Sequence, residues 1–245
     1  GKPLVVLHGV FGSGDNWLTV SKAFAETNTV YLVDQRNHGL SPWSDVFNYD
    51  VMAEDVLELL DNESLETIVL LGHSMGGKVA MRFAQLYPER VKKLIIVDIA
   101  PRAYKPHHQN IIDGFRAVNL KVIQSRNEAD LAMSTHIPEA DVRQFLLKNL
   151  YRDADGNYGW RINLEVIADN ISEIGMALPP SYTIHVETLF IAGSKSKYIQ
   201  AADEQEINQR FDKVLINKVP DAGHWVHAEQ PVVFAKMVNE FLNPG

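Results

Sequence analysis

Residues 68–80 read Ile-Val-Leu-Leu-Gly-His-Ser-Met-Gly-Gly-Lys-Val-Ala. The opening apolar run has no polar face to offer to water, so it suits a strand covered on both sides. It runs straight into Gly72-His-Ser-Met-Gly76, and helix-forming residues follow directly. Strand, tight turn and helix in succession fold the chain back over its own sheet, which points to layered α/β architecture. The turn also has a chemical reading. In this context G-x-S-x-G is a nucleophile elbow: it strains the backbone at Ser74 and raises the hydroxyl above the sheet edge. A Cβ at Gly72 or Gly76 would collide with neighbouring backbone. The Met75 N–H lies at the positive end of the helix, where a developing oxyanion would be held. The plainer reading is a Gly/Ser turn without chemistry, and the strand and helix around it weigh against that.

The same alternation recurs along the 245 residues, which suffice for one large domain with an insertion. Apolar runs at 4–7, 29–33, 67–71, 94–97, 188–192 and 214–216 read as buried strands. Helical patterns at 21–26, 49–60, 78–86 and 231–242 lie among them. Between 102 and 185 the alternation stops. That stretch reads as helices at 110–118, 128–135, 139–149 and 163–174, joined by polar turns and with no clear strand. The expected fold class is α/β: a mostly parallel sheet flanked by helices, with an inserted helical cap. Residues 1–101 and 186–245 form the two parts of the core and 102–185 the cap. Such a block would emerge at the carboxyl ends of the strands, where open α/β sheets bind ligands.

Composition excludes several functions. A formal charge of −8 argues against nucleic acid as a partner, because phosphate binding needs a basic surface. The absence of cysteine rules out a thiolate nucleophile, a disulfide and Cys-bound zinc, and it suits a cytoplasmic setting. The nine histidines show no H-E-x-x-H spacing, so no metal or other cofactor is expected. No apolar run is long enough for a membrane span. The partner expected is a small molecule, and oligomeric state is not legible.

Two further stretches complete a possible site. Leu7-His-Gly-Val-Phe-Gly-Ser-Gly14 is a strand end entering a Gly-rich loop. Its N–H groups, Val10 first and Phe11 second, offer another oxyanion donor. A phosphate cradle would carry G-x-G-x-x-G or a Lys-Ser/Thr pair, and neither is present. Asp221-Ala-Gly-His-Trp-Val-His227 follows the last strand. A serine nucleophile needs a base, and His224, on a loop with room to reach, is preferred to His227 at a helix start. His8, His38 and His73 belong to turns, while His107, His108, His136 and His185 fall in the insert.

His8-Gly9, the Ser74 elbow and Gly223-His224, in this order, resemble the α/β-hydrolase fold across nearly the whole chain. Stretches 8–17, 34–42, 72–81, 97–101 and 222–229 resemble, more narrowly, the bacterial YbfF-type esterases. The common place for the triad acid is the loop after 189–192, but Gly193-Ser-Lys-Ser-Lys197 contains no acid. Asp203 and Glu204 fall in a predicted helix. Asp98, directly after the apolar run 94–97, is either a turn cap or the missing carboxylate. The resemblance implies the latter, with Ser196 standing where other members carry the acid and supporting the Asp98–His224 pair. It further implies hydrolysis of short acyl esters and acyl-CoA thioesters, and an antiparallel strand pair preceding residue 1. Carbon–carbon hydrolases, lyases and perhydrolases share the serine triad, and a non-catalytic binding module on the same fold is the remaining alternative. Lys105, Lys195, Lys197 and Arg102 would meet a CoA phosphate or are solvated charges. Phe115 and Trp160 would line an acyl pocket or pack the cap on itself.

Overall fold

The computed structural model describes residues 1–180 and 182–244. The chain runs through β1 (Lys2–Leu7), α1 (Leu18–Ser21), β2 (Asn28–Val33), α2 (Tyr49–Asn62), β3 (Ile68–His73), α3 (Met75–Leu86) and β4 (Val91–Val97). It continues through α4 (Gln109–Ala117), α5 (Arg126–Ser134), α6 (Ala140–Leu147), β5 (Leu150–Arg152), β6 (Tyr158–Trp160), α7 (Leu164–Asp169) and α8 (Ile171–Gly175). It ends with β7 (Thr188–Gly193), α9 (Ala201–Arg210), β8 (Val214–Val219), α10 (Val226–Glu229) and α11 (Pro231–Leu242).

Six strands form one sheet in the order β2-β1-β3-β4-β7-β8, and every neighbouring pair is parallel. Successive side chains of a strand point to opposite faces, and both faces are covered. Val5, Leu70, Ile96 and Phe190 pack with Met52, Val56 and Phe83 of α2 and α3. Their neighbours Leu4, Val69, Ile95 and Leu189 pack with Trp17, Phe24, Phe234 and Phe241 on the other side. Each fully buried aliphatic or aromatic side chain contributes on the order of 1.5–3 kcal/mol. The four central strands are apolar on both faces for this reason.

The register aligns the carboxyl ends of the strands. Leu7 pairs with Gly72, Gly72 with Ile96, Val97 with Ile191 and Gly193 with Val219. The residues that leave β1, β3, β4 and β7 therefore emerge along one sheet edge. The segment between β4 and β7 lies over that edge. Asn149 Nδ2 donates to the Phe11 carbonyl at 2.8 Å, and Tyr49 Oη donates to the Ile174 carbonyl at 2.6 Å. Lys78 of α3, wholly buried, donates to the carbonyls of Arg102 and Met176, near the two ends of the segment.

Five expectations need correction. Strands β2 and β8 are the two lateral edges of the sheet rather than buried strands: residues 29–33 are half-buried or exposed, and in β8 Val214 and Ile216 face the core while Leu215 is 56% exposed. The helix expected at 21–26 lies earlier, in α1, and turns follow it. The intervening segment contains the antiparallel hairpin β5–β6, closed by Asp153, whose carboxylate accepts the N–H groups of Asp155 and Asn157, with Gly156 at φ +90°. The polar Asp-Ala-Asp-Gly-Asn turn joins two three-residue strands too short to show periodicity. The helix expected at 163–174 is broken at Asn170, which leaves helical geometry while its side chain bonds back to the Val166 carbonyl.

Candidate active site

Ser74 joins β3 to α3 at φ 52°, ψ −119°, a backbone conformation that costs an L-residue about 1–3 kcal/mol. Its surroundings hold it there. The Ser74 N–H donates to the Val97 carbonyl at 3.0 Å, and the Gly77 N–H donates to the Ser74 carbonyl at 2.9 Å. A Cβ on Gly72 would lie 2.1 Å from the Gly76 carbonyl oxygen, and one on Gly76 would lie 2.5 Å from that of Leu7. The spacing G-x-S-x-G is thus a packing condition: it lets the first turn of α3 rest on the ends of β1 and β3. Ser74 lines a cavity of about 410 Å³ together with His224.

Asp98 leaves β4 at φ 50° and is completely buried. Its Oδ2 accepts from His224 Nδ1 at 2.8 Å and from Ser196 Oγ at 2.5 Å, and its Oδ1 accepts from the Gly193 N–H at 3.0 Å. The close approach of the His224 loop depends on Gly193, where a Cβ would lie 2.1 Å from the Gly223 carbonyl oxygen. With Nδ1 donating to the carboxylate, His224 keeps its lone pair on Nε2. Ser74 and His224 share the cavity wall without a hydrogen bond between them. A base so placed tightens onto its serine when a substrate is bound. Burial holds the His224 imidazole below the ordinary histidine range. Burial also pushes the Asp98 carboxyl up, against the opposing hydrogen bonds of Ser196 and Gly193.

The candidate oxyanion donors separate clearly. Val10 and Met75 line one narrow cleft with Ser74, and among the described residues neither backbone N–H has a partner within the protein. The Phe11 N–H, the second choice from sequence, instead donates to Nε2 of buried His38 at 3.1 Å. His38 Nδ1 is held by the Arg36 carbonyl at 2.9 Å, so this histidine braces the loop after β1. The sequence placed His38 in a turn, but the N–H that it accepts was not legible.

Several other residues lie apart from these groups. His227 is buried, with its ring stacked on Trp17 at 3.9 Å, rather than at the surface. Asp203 accepts from Arg102 at 2.6 Å and from the Gln200 N–H at the start of α9, away from His224. Phe115 and Trp160 pack on each other at 4.8 Å and do not line the cavity. Of the four cations weighed for a CoA phosphate, Arg102 pairs with Asp203, Lys195 pairs with Asp221, and Lys105 lines the narrow cleft beside Ser74. Among the described residues no group of three His, Asp or Glu side chains is placed to hold a metal. The residue that sequence reasoning missed is Tyr198, whose ring lies on that of His224 at 3.9 Å and 16°. Its nearness to Ser196 in the chain was the only available signal.

A model of the α/β-hydrolase fold family matches residues 2–231. The chain belongs to this family. This α/β-hydrolase is 36% identical to the esterase YbfF of Escherichia coli over 243 residues, covering 98% of this chain and 93% of that one. It is 40% identical over 248 residues to the Mus musculus protein named sn-1-specific diacylglycerol lipase ABHD11, covering 98% and 80%. The solved structure of a marine microorganism esterase superposes with a TM-score of 0.96 at 40% identity, over 98% of this chain and 95% of that one. Among the described residues, no helix is long and apolar enough to cross a membrane.

Proposed function

We propose that this α/β-hydrolase is a carboxylic ester hydrolase that cleaves short acyl esters through a covalent acyl-enzyme. Its relatives named esterase and lipase support the class. The observation that carries the mechanism is the 2.8 Å contact of His224 Nδ1 with buried Asp98, on a cavity shared with Ser74. Ser74 Oγ attacks the acyl carbonyl, and His224 Nε2 takes its proton. Asp98 holds the Nδ1–H tautomer and stabilises the imidazolium, with Ser196 and Gly193 orienting the carboxylate. The N–H groups of Val10 and Met75 receive the oxyanion, each worth about 3 kcal/mol to the transition state. The proton then passes to the leaving alcohol. Water deprotonated by His224 attacks the acyl-enzyme and releases the acid.

Residues 102–185 act as the cap in this scheme. Ile137, Val142, Phe145 and Leu146 from the segment wall the cavity on its apolar side. A volume of about 410 Å³ lies at the small end of ligand pockets, which suits a short acyl chain. Acyl-CoA thioesters are an extension of the same chemistry, with Lys105, on the cleft beside Ser74, and Lys197 the cations outside the two ion pairs named above. A cytoplasmic setting fits the cysteine-free composition.

The test is labelling with a fluorophosphonate and turnover of p-nitrophenyl esters of graded acyl length. Labelling at Ser74, activity falling with chain length, and loss of both in Ser74→Ala are expected. An unlabelled serine would favour a binding module. Turnover of a vinylogous diketone in preference to the esters would favour carbon–carbon bond hydrolysis.

A further inference from the structure

Tyr198 is held on four sides. Its ring stacks on the His224 imidazole, with centroids 3.9 Å apart and planes 16° from parallel. Its hydroxyl bonds to His107 Nε2 at 2.6 Å. His107 Nδ1 lies 3.1 Å from the Lys105 carbonyl, which can only accept. In the neutral ring Nδ1 therefore carries the proton, Nε2 accepts, and Tyr198 is the donor. The Tyr198 N–H donates to Ser196 Oγ at 3.2 Å, the same oxygen whose proton goes to Asp98. Its carbonyl accepts from Tyr104 Oη at 2.6 Å, and that oxygen accepts in turn from the Ala100 N–H at 2.8 Å. Tyr198 thus touches the base directly, the acid through Ser196, the loop after Asp98 through Tyr104, and the β4–β7 segment through His107.

We propose that Tyr198 is a positioning residue that fixes the plane of the His224 ring against Asp98, and that His107 makes this placement depend on the seating of the β4–β7 segment. The proposal rests on His224 being the base of the reaction above. A flat ring 3.9 Å away removes rotation about the bond that carries the imidazole, leaving Nδ1 on Asp98 and Nε2 toward the cavity. The same ring face attracts the imidazolium that forms as Ser74 attacks. The other ionisable groups around His224 do not duplicate this. His73 sits 4.7 Å away at a steep tilt with Nε2 bonded to the His224 carbonyl. His227 is stacked on Trp17, Asp98 holds the ring edge, and His107 and His108 line the same cavity, where the charge of His107 adds to burial in lowering the His224 pKa.

Five proteins test it: wild type, Tyr198→Phe, Tyr198→Ala, His107→Ala and the double variant of His107→Ala with Tyr198→Phe. Each is assayed with p-nitrophenyl acetate from pH 3 to 8.5, and the His224 ring is titrated by NMR over the same range. Tyr198→Ala should lower kcat about tenfold, the weight of a cation–π contact plus lost orientation, with KM changed far less. It should also open one face of the imidazole to water, raising the His224 pKa and moving the acid limb of kcat/KM upward. Tyr198→Phe keeps the stack and should restore most of kcat and the wild-type limb. His107→Ala should cost about twofold, and combining it with Tyr198→Phe should add nothing, because both remove the same bond. An unchanged His224 titration in Tyr198→Ala would overturn the proposal, as would a Phe variant as impaired as the Ala one. The NMR titration does not depend on turnover. If the wild type cleaved no ester and took no fluorophosphonate, the reaction would be refuted while the titration still decided the role of Tyr198.

Discussion

The sheet edge and the β4–β7 segment are built by different means, although they face each other across one cavity. At the edge, backbone does the positioning. Ser74 and Asp98 both sit at positive φ, close-packed glycines hold the elbow and the Gly193–Gly223 crossing, and parallel register aligns the strand ends. The segment adds side-chain ties to a few backbone bonds, such as that of the Asn163 N–H to the Asn37 carbonyl. Lys78 reaches the carbonyls of Arg102 and Met176, Asn149 reaches Phe11, Tyr49 reaches Ile174 and His107 reaches Tyr198. Backbone and close-packed cores hold groups to a fraction of an ångström, as a reacting constellation requires. Side-chain ties can be exchanged without refolding the sheet, so the reaction and its substrate range can change separately.

This comparison sets the size of the expected effects. Asp98→Asn, on the backbone-defined edge, should lower kcat/KM by about 10⁴-fold with the fold intact. Near-normal turnover in p-nitrophenyl ester assays would remove Asp98 from the proposed triad. Lys78→Met acts on the other region. It leaves the part-buried Arg102 and Met176 carbonyls without their donor, at about 1 kcal/mol for each, since water can reach them in its place. Thermal unfolding should shift several degrees lower, and discrimination among acyl lengths should weaken while Ser74 labelling persists. An unchanged melting temperature would show that the segment is held by packing alone. Ser196→Ala should reduce kcat by about tenfold or less, because the Gly193 N–H still holds Asp98. A loss as large as that of Asp98→Asn would make Ser196 an equal member of the constellation. The smallest effect is on pH. His224 must be neutral to accept the Ser74 proton, and burial lowers its pKa below 6.5. Activity should therefore hold its plateau at pH 6.5 and decline only as pH falls further. A limb centred above that value would contradict the burial.

Much of the fold was legible because its signals are local. Apolar runs without a polar face marked β1, β3, β4 and β7, since the part of a strand covered on both sides is apolar; the lysines of β1 and β4 fall at their uncovered starts. The edge strand β8 misled this reading, as three apolar residues in a row do not reveal that Leu215 has no layer above it. The hairpin β5–β6 was hidden by the brevity of its strands.

The sequence by itself determined the class of architecture, the strained turn at Ser74, and the choice of Asp98 and His224 as partners worth testing. The first two rest on residue type and spacing within about ten positions, while the choice of Asp98 rested on the acid missing from 193–197 and on the family resemblance. The tertiary structure decided what depends on distant contacts. Asp98 and His224 meet across 126 positions, Phe11 yields its N–H to His38 across 27, and Tyr198 bonds to His107 across 91. Such contacts leave no local signature, because they arise from strand order and register rather than from the residues on either side of them.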